Sequence, residues 1–253
     1  MLLDIDGVLA VSWEAIPGAI DVIATLRRDG FPFRLITNTT THTRADLAGT
    51  LVAAGFDVAA EEIVTAVVAT SSYLREHHPN ANVFVLSDGD ASADLEGVRR
   101  VERPSDADVV VLGGACDDFT YGTINEIFRR LMDGATLIGM HRNLYWRTAE
   151  GWQLDGGAYI AALEEASGRA AVICGKPAAT YFEQALALLG VPVDRAAMVG
   201  DDLVNDVLGA RAAGITGVLV RTGKFRPEDL DSAEGAPDHT LDSIADVPGF
   251  LAT

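Results

Sequence analysis

The chain has 253 residues, 49% of them hydrophobic and 22% charged, which fits one large domain or two small domains of an ordinary globular protein. Acidic residues number 37 against 19 Lys and Arg, and the net charge of -18 argues against a nucleic-acid partner and an anionic membrane, since both require a basic face. A phosphorylated substrate is compatible with this charge, because a single pocket can be locally positive.

The cysteine content favours a reducing compartment, and the hydropathy pattern argues against a membrane helix and a signal peptide. The two cysteines, Cys116 and Cys174, are too few for a disulfide framework. No apolar run reaches the ~18 residues of a membrane helix, and the first residues lack the basic and apolar pattern of a signal peptide. We therefore expect a cytoplasmic protein.

Short apolar runs alternate with amphipathic helical patterns along the chain. The first part predicts a strand at 2–3, a helix at 17–29, a strand at 33–37, helices at 43–54 and 61–78, and a strand at 83–86. The second part predicts a strand at 109–112, a helix at 121–132, a strand at 136–140, a hairpin arm at 145–147, a helix at 158–167, an apolar run at 171–174, a helix at 178–189, a strand at 196–199, a helix at 204–213 and a strand at 217–220.

This alternation predicts an α/β fold with a parallel sheet covered by helices on both faces. In such sheets, ligands bind outside the carboxyl ends of the strands. The residues that directly follow each apolar run are therefore the candidates for a functional site.

Two aspartates and a glycine follow the first run. In a strand, Asp4 and Asp6 would point to the same side, and Gly7 permits a tight turn after them. One carboxylate can attack a phosphorus atom, while the other protonates the leaving oxygen and later takes a proton from water. A solvated pair of loop carboxylates explains so short a motif about equally well.

Three further polar residues follow later runs: Thr37, Asn38 and Lys176. Lys176 is notable because the chain has only one other lysine, Lys224, against 17 arginines. A strand-end threonine is also typical of a cap, and a lysine before Pro177 is also typical of a surface helix start. We set Lys224 aside, because its segment lacks the glycine spacing of a phosphate-binding loop.

Asp201 and Asp202 follow the run at 196–199. Two adjacent acids at the end of an apolar strand are costly unless a cation or hydrogen-bond donors compensate them, and capping of the next helix is the simpler explanation. With Asp4, Asp6 and Lys176 they suit a phosphoryl group bound with Mg²⁺, which prefers hard oxygen ligands.

In this order, the motifs resemble those of the haloacid dehalogenase (HAD) superfamily: DIDGV, Thr37, Lys176 and GDDLVND match its motifs I to IV. Most of the additional chain lies between motifs II and III, which resembles the capped type IIA group of NagD-like and p-nitrophenylphosphatase-like phosphatases. LITNTT and GKPAATYFEQAL are also similar to that group, and the resemblance covers essentially the whole chain. It implies a Rossmann-like, doubly wound parallel-sheet core with an inserted α/β cap domain of the C2 type.

The resemblance also implies roles for individual residues. Asp4 would be the nucleophile, and Asp6 would be the general acid/base and would offer its backbone carbonyl to the metal. Catalytic roles are also implied for Thr37 and Lys176. The implied substrate-binding residues are Gly7, Thr37, Asn38 and Lys176, and the implied Mg²⁺ ligands are Asp4, Asp6, Asp201 and Asp202, with Asp206 as a weaker candidate.

A Mg²⁺-dependent phosphatase acting through an aspartyl-phosphate is the leading hypothesis. A true dehalogenase is disfavoured, because it uses one aspartate without a metal and would not need Asp6 or Asp201. A phosphotransferase or mutase on the same fold stays open, as does an aspartyl-phosphate signalling module, although such a module would be about half as long. An inactive binding protein is disfavoured because every catalytic position is filled.

The candidate site residues fall in two stretches, 1–70 and 169–253, which we expect to form one catalytic core, with 71–168 as the α/β cap domain. We expect the cap to select the substrate. The residues we assign to that selection are His141, Arg142, Asn143, Tyr145, Trp146 and Arg147, with Gly156 and Gly157 as a flexible return. The expected partner is a small phosphorylated metabolite, with neither nucleic acid nor membrane, and a homodimer is the expected assembly.

Overall fold

The computed structural model describes residues 1–90, 92–148, 151–231 and 235–251. Its contacts divide the chain into two compact units. Unit 1 comprises Met1–Thr37, Arg44–Val64 and Lys176–Thr253, and unit 2 comprises Asn38–Thr43 and Thr65–Gly175. The division into 1–70 with 169–253 and 71–168 stays a prediction.

Strands and helices alternate through most of the chain. The strands are β1 (Leu2–Asp4), β2 (Ala10–Val11), β3 (Glu14–Ala15), β4 (Arg34–Thr37), β5 (Ile63–Thr65), β6 (Val83–Leu86), β7 (Val109–Leu112), β8 (Thr136–Gly139), β9 (Tyr145–Thr148), β10 (Gly151–Leu154), β11 (Val172–Ile173), β12 (Ala197–Gly200), β13 (Thr216–Val220) and β14 (His239–Leu241). The α-helices are α1 (Ala19–Arg28), α2 (Arg44–Ala53), α3 (Ala66–His77), α4 (Tyr121–Met132), α5 (Gly156–Ser167), α6 (Ala179–Leu189), α7 (Gly209–Ala212) and α8 (Val247–Leu251).

The main sheet of unit 1 has six strands in the order β14-β13-β12-β1-β4-β5. The central strand β1 pairs in parallel with β4 on one side and with β12 on the other. Successive residues of β13 serve different cores: Val218 and Val220 join the main core of the unit, whereas Leu219 packs with Leu203 and Val207. Since side chains alternate across a strand, this pattern shows a sheet buried on both faces.

The four-stranded sheet of unit 2 is smaller and is also parallel and buried on both faces. It has four parallel strands in the order β11-β8-β7-β6. Val109 and Val111 of β7 belong to one hydrophobic cluster, which includes Leu74 of α3. Val110 and Leu112 belong to another, which includes residues of α4 and α5. Helices therefore cover both faces of this sheet as well.

The helix predicted over 61–78 is wrong in its first turn. Residues 63–65 form β5, and α3 begins only at Ala66. The run Ile63, Val64 and Thr65 is β-branched, which favours a strand, and the Thr65 side chain then caps α3 by accepting a hydrogen bond from Val68 N at 3.1 Å.

Two other differences concern irregular or very short elements. The helix predicted over 204–213 is a π-helical segment at Leu203–Leu208 followed by α7. The strand β14 and the hairpin of β2 and β3 were not predicted, because each has three residues or fewer. None of the helices in the described ranges is long and apolar enough to cross a membrane.

Candidate active site

The carboxyl ends of three adjacent strands in unit 1 carry predicted site residues. Asp4 ends β1, Thr37 ends the neighbouring β4, and Asp201 directly follows β12 on the other side. The register aligns Asp4 with Ile36, the residue before Thr37. Because parallel strands end at the same edge of a sheet, separate parts of the sequence meet here.

Lys176 joins two of the carboxylates. Its Nζ donates hydrogen bonds of 2.6 Å to Asp4 Oδ1 and of 2.6 Å to Asp206 Oδ1, and all three side chains are buried. Burial acts against the charged ammonium, but the carboxylates of Asp206 and Asp4 outweigh it and keep the pKa of Lys176 well above its usual value. Lys176 is thus a fixed positive charge beside Asp4.

Three buried carboxylates form the cluster around this lysine. Asp4, Asp201 and Asp206 each offer an oxygen, and these oxygens lie within 4.8 Å of one another. Burial raises the pKa of Asp4, and it raises the pKa of Asp201 and of Asp206 to about 6. Lys176 and the nearby Lys224 together carry fewer positive charges than the three carboxylates carry negative ones when ionised, so the cluster is short of positive charge.

The donor set fits a hard divalent cation. Asp201 Oδ1 is a buried oxygen for which the described residues provide no hydrogen-bond partner. A buried acceptor without a partner is costly, and Mg²⁺ favours carboxylate oxygens. The cluster could therefore hold the predicted cation. Asp201 would offer it Oδ1, the oxygen that has no hydrogen-bond partner among the described residues.

Asp202, a predicted metal ligand, is not part of this cluster, whereas Asp206, the weaker candidate, is. Asp202 Oδ1 accepts hydrogen bonds from Val204 N at 3.1 Å and Asn205 N at 2.9 Å, and its Oδ2 accepts one from Asn205 Nδ2 at 2.8 Å. Asp202 thus caps the helical segment that follows. Its own N–H donates to Asp206 Oδ2 at 3.2 Å, which helps to orient Asp206.

Asp6 lies in the loop after β1. The strand ends at Asp4, so the premise that Asp4 and Asp6 share one face of a strand is wrong. The chain turns at Gly7, which has a φ of 83° and donates from its N–H to Ala10 O at 2.8 Å. Asp6 is exposed whereas Asp4 is buried, so the two carboxyl groups have different access to solvent.

The segment 222–224, which the sequence interpretation set aside, holds Asp201 in place. Lys224 N donates to Asp201 Oδ2 at 2.6 Å, and the Thr222 hydroxyl donates to Gly7 O. A Cβ at Gly223 would lie 2.0 Å from Asp201 Oδ2 and 2.5 Å from the Cα of Gly7, so a side chain is excluded there. In the sequence, Gly223 before Lys224 was the one sign of this turn. The backbone at Gly223 has a φ of 60°, a conformation that favours glycine.

The predicted pair Thr37 and Asn38 is divided between the units. Thr37 is a buried residue of unit 1, and its N–H donates to the Tyr181 hydroxyl at 3.0 Å. Asn38 belongs to unit 2, where it lines a cavity. The structure therefore groups Thr37 with Asp4 and Lys176 in unit 1, and it groups Asn38 with residues of the predicted cap.

One cavity of unit 2 has a volume of about 230 Å³ and is lined largely by polar residues. Its lining residues are Asn38, Thr39, Thr40, Thr41, Asp88, Gly114, Ala115, His141, Asn143 and Asp155. Asp155 Oδ1 accepts hydrogen bonds from Gly156 N at 2.8 Å and Ala115 N at 3.1 Å. Burial lowers the pKa of His141, which favours its neutral form. These lining residues include hydroxyls, amides and carboxylates but neither Lys nor Arg.

Two other predicted selecting residues, Arg142 and Tyr145, lie outside this lining. Arg142 pairs with Glu164 at 2.6 Å. Tyr145 is exposed on the β9–β10 hairpin, with its ring edge-on to Trp152 at 5.4 Å between centroids. The side chains of Trp146 and Arg147 lie outside the described residues.

Two family models match the chain. One, described as haloacid dehalogenase-like hydrolase, matches residues 1–99, and the other, described as HAD-hydrolase-like, matches residues 173–247. They contain Asp4, Thr37, Lys176 and Asp201.

Two curated relatives align over nearly their whole length. Haloacid dehalogenase-like hydrolase domain-containing protein 2 from Homo sapiens is 36% identical, over 96% of this chain and 92% of its own. Phospholysine phosphohistidine inorganic pyrophosphate phosphatase from Homo sapiens is 34% identical, over 99% of this chain and 93% of its own.

Solved structures have the same fold. A p-nitrophenyl phosphatase from Archaeoglobus fulgidus gives a TM-score of 0.89 at 27% identity, covering 99% of this chain and 98% of that one. NagD from E. coli K-12 gives 0.86 at 27% identity, covering 96% of each chain. These matches confirm the predicted NagD-like resemblance, fold class and enzyme class: the chain belongs to the haloacid dehalogenase-like hydrolases and is a phosphoric monoester hydrolase of that family.

Proposed function

We propose that the protein hydrolyses a small phosphomonoester through an aspartyl-phosphate on Asp4, with Mg²⁺ as the cofactor. The observation that carries the proposal is the buried Lys176 between Asp4 and Asp206, with Asp201 in the same cluster. Such a site joins a carboxylate nucleophile to the positive charge that a phosphoryl group requires.

In the first step, a carboxylate oxygen of Asp4 forms a bond to phosphorus and the bond from phosphorus to the ester oxygen breaks. The Lys176 ammonium offsets the negative charge of the phosphoryl group and orients Asp4 through their hydrogen bond. Thr37, at the neighbouring strand end, binds a phosphoryl oxygen. Asp6 gives its proton to the leaving oxygen, and its exposed position suits exchange of that proton with solvent.

In the second step, water attacks the phosphorus atom of the aspartyl-phosphate. Asp6, now a carboxylate, accepts a proton from that water. The bond between phosphorus and the Asp4 oxygen breaks, which releases inorganic phosphate and restores the Asp4 carboxylate. The overall reaction consumes one water and forms one alcohol and one phosphate.

Asp4, Asp201 and the backbone carbonyl of Asp6 are the residues that we assign to Mg²⁺. When bound, the cation would supply positive charge against the repulsion between the Asp4 carboxylate and the phosphoryl group. The free Asp201 Oδ1 supports this assignment. Asp202 and Asp206 are the other candidates, and the cluster favours Asp206, because one of its oxygens lies within 4.8 Å of oxygens of Asp4 and Asp201.

Substrate selection is the role that we propose for unit 2, as a cap domain. It has its own sheet and its own cavity, and two of the predicted site residues stand where the chain crosses between the units: Thr37 is the last residue before the first segment of unit 2, and Lys176 follows its second segment. The structurally similar proteins include a p-nitrophenyl phosphatase, which supports a small ester as substrate. The two reduced cysteines support a cytoplasmic location.

A phosphate-release assay tests the proposed function. Purified protein, stripped of metal with EDTA, should release no phosphate from p-nitrophenyl phosphate until Mg²⁺ is added. Full activity without metal would contradict the assigned cofactor. Adding a small alcohol as acceptor separates the alternatives, because a phosphotransferase would form a new ester whereas a phosphatase would release phosphate.

A further inference from the structure

The side chain of Tyr181 lies fully buried in unit 1, in the first turn of α6. Its hydroxyl contacts the backbone of two neighbouring strands. The Thr37 N–H donates to it at 3.0 Å, and it lies 3.1 Å from Thr37 O and 2.7 Å from Val64 O. One hydroxyl thus joins the end of β4 to β5.

The Tyr181 hydroxyl can act both as a hydrogen-bond donor and as an acceptor. A hydroxyl has one proton to donate and lone pairs that accept, so it can accept from Thr37 N–H while it donates to one of the two carbonyls. Burial raises the pKa of Tyr181, so the proton stays on the oxygen. The shorter distance favours donation to Val64 O.

The same short segment also carries Lys176. Tyr181, which contacts Thr37, lies five positions after Lys176, which contacts Asp4. The segment from 176 to 181 therefore touches both of the strand ends that bear the nucleophile and the phosphoryl-binding threonine. A phenylalanine would fill the same space, so packing alone does not require the hydroxyl.

We propose that Tyr181 is a positioning residue, whose hydroxyl fixes the backbone of Thr37 in the conformation that binds the phosphoryl group. The role rests on the proposed function, because Thr37 acts only if a phosphoryl group binds there. Tyr181 itself need not touch the substrate.

The test replaces one oxygen atom. In Tyr181→Phe, calorimetric titration with inorganic phosphate in the presence of Mg²⁺ should show affinity weakened by about fivefold, as for the loss of one ordinary hydrogen bond. With p-nitrophenyl phosphate, kcat/KM should fall by a similar factor, while the affinity for Mg²⁺ alone stays at the wild-type value.

Thr70→Val is the matched control. It removes another buried hydroxyl, which donates to Ala66 O at 2.7 Å in unit 2, and so it should lower thermal stability without weakening phosphate binding. Thr37→Val provides the second arm: in that background, Tyr181→Phe should weaken phosphate binding by less than it does in the wild type, because both changes act on one contact.

Phosphate affinity unchanged in Tyr181→Phe would overturn the proposal, whatever happens to stability. Full additivity with Thr37→Val would overturn it too, because Tyr181 would then not act through Thr37. Failure of the proposed function is a separate result: wild-type protein would neither bind phosphate nor turn over an ester.

Discussion

The two units share a parallel α/β architecture but differ in what they bury. At its strand ends, unit 1 buries Asp4, Asp201 and Asp206 with Lys176. Unit 2 surrounds its cavity with hydroxyls and amides, and the buried carboxylate there, Asp155, caps α5 through its bond to Gly156 N. Unit 1 thus concentrates buried charge, whereas the buried carboxylate at the cavity of unit 2 accepts hydrogen bonds from backbone N–H groups.

This difference indicates different roles for the two units. Burial of an ion costs several kcal/mol unless partners compensate it, so a fold keeps such a cluster only where charge is useful. The lining of the unit 2 cavity can form hydrogen bonds and includes Asp88 and Asp155 but neither Lys nor Arg, which suits recognition of a neutral or cationic group rather than an anionic one. We therefore propose that unit 1 performs the chemistry and that unit 2 selects the substrate.

The largest effect is expected for Asp4→Asn. The amide keeps the shape of the side chain but is not a competent nucleophile, so turnover of p-nitrophenyl phosphate should fall by about 10⁴-fold or more. Circular dichroism should show an unchanged fold. Near-wild-type turnover of the purified variant would mean that another group attacks phosphorus.

Asp6→Asn should separate good from poor leaving groups. A general acid matters most when the departing oxygen is basic, and its loss typically costs 10²–10⁴-fold. We expect about 100-fold or more loss for an alkyl phosphate and a smaller loss in the first step for an aryl phosphate. Equal losses for both ester classes, measured by pre-steady-state kinetics, would count against Asp6 as the acid.

Asp201→Asn and Asp202→Asn should differ in metal binding. Calorimetric titration with Mg²⁺ should show at least about tenfold weaker binding for Asp201→Asn, because its free oxygen is the one assigned to the cation. Asn is a good N-cap, so Asp202→Asn should keep the helical cap and most of the affinity. The opposite ranking would transfer the role to Asp202.

Gly223→Ala should weaken Mg²⁺ binding by about tenfold through the displaced Asp201 carboxylate. Its matched control is Gly30→Ala in the same unit: both glycines have positive φ, but a Cβ at Gly30 meets nothing within 4 Å. Both variants should lose about 1 kcal/mol of stability from the left-handed backbone. If both bound Mg²⁺ like the wild type, the segment 222–224 would have no part in holding Asp201.

The smallest effect is expected in unit 2. Asn143→Ala, in the cavity lining, should change the relative rates over a panel of phosphate esters by about threefold to tenfold, while the Mg²⁺ requirement persists. Arg142→Ala is the control, because Arg142 pairs with Glu164 outside the lining. If Asn143→Ala left the ranking of substrates fixed, selection by this cavity would be wrong.

Hydrophobic periodicity sufficed to predict the parallel α/β fold and the strand ends at Asp4, Thr37 and Asp201. It failed at β5, because three residues cannot reveal whether a β-branched run opens a helix or forms a strand. The hydrophobic pattern of the sequence thus predicts the architecture but does not predict the short elements.

Which side chains meet at the site depends on tertiary structure. Asp202 and Asp206 lie on one helical segment, and only the fold determines that Asp202 caps it while Asp206 meets Lys176. The Tyr181 hydroxyl is equally hidden from sequence patterns, because its partners Thr37 and Val64 lie 144 and 117 residues away.

Trapping the covalent intermediate tests the central claim most directly. Asp6→Asn protein is mixed with Mg²⁺ and p-nitrophenyl phosphate, quenched in acid within milliseconds and digested for mass spectrometry. We expect one added phosphoryl group on the peptide that contains position 4, assigned to Asp4 by fragmentation and absent from Asp4→Asn. A phosphoryl group on any other residue, or turnover in the wild type without a trapped intermediate in either protein, would contradict it.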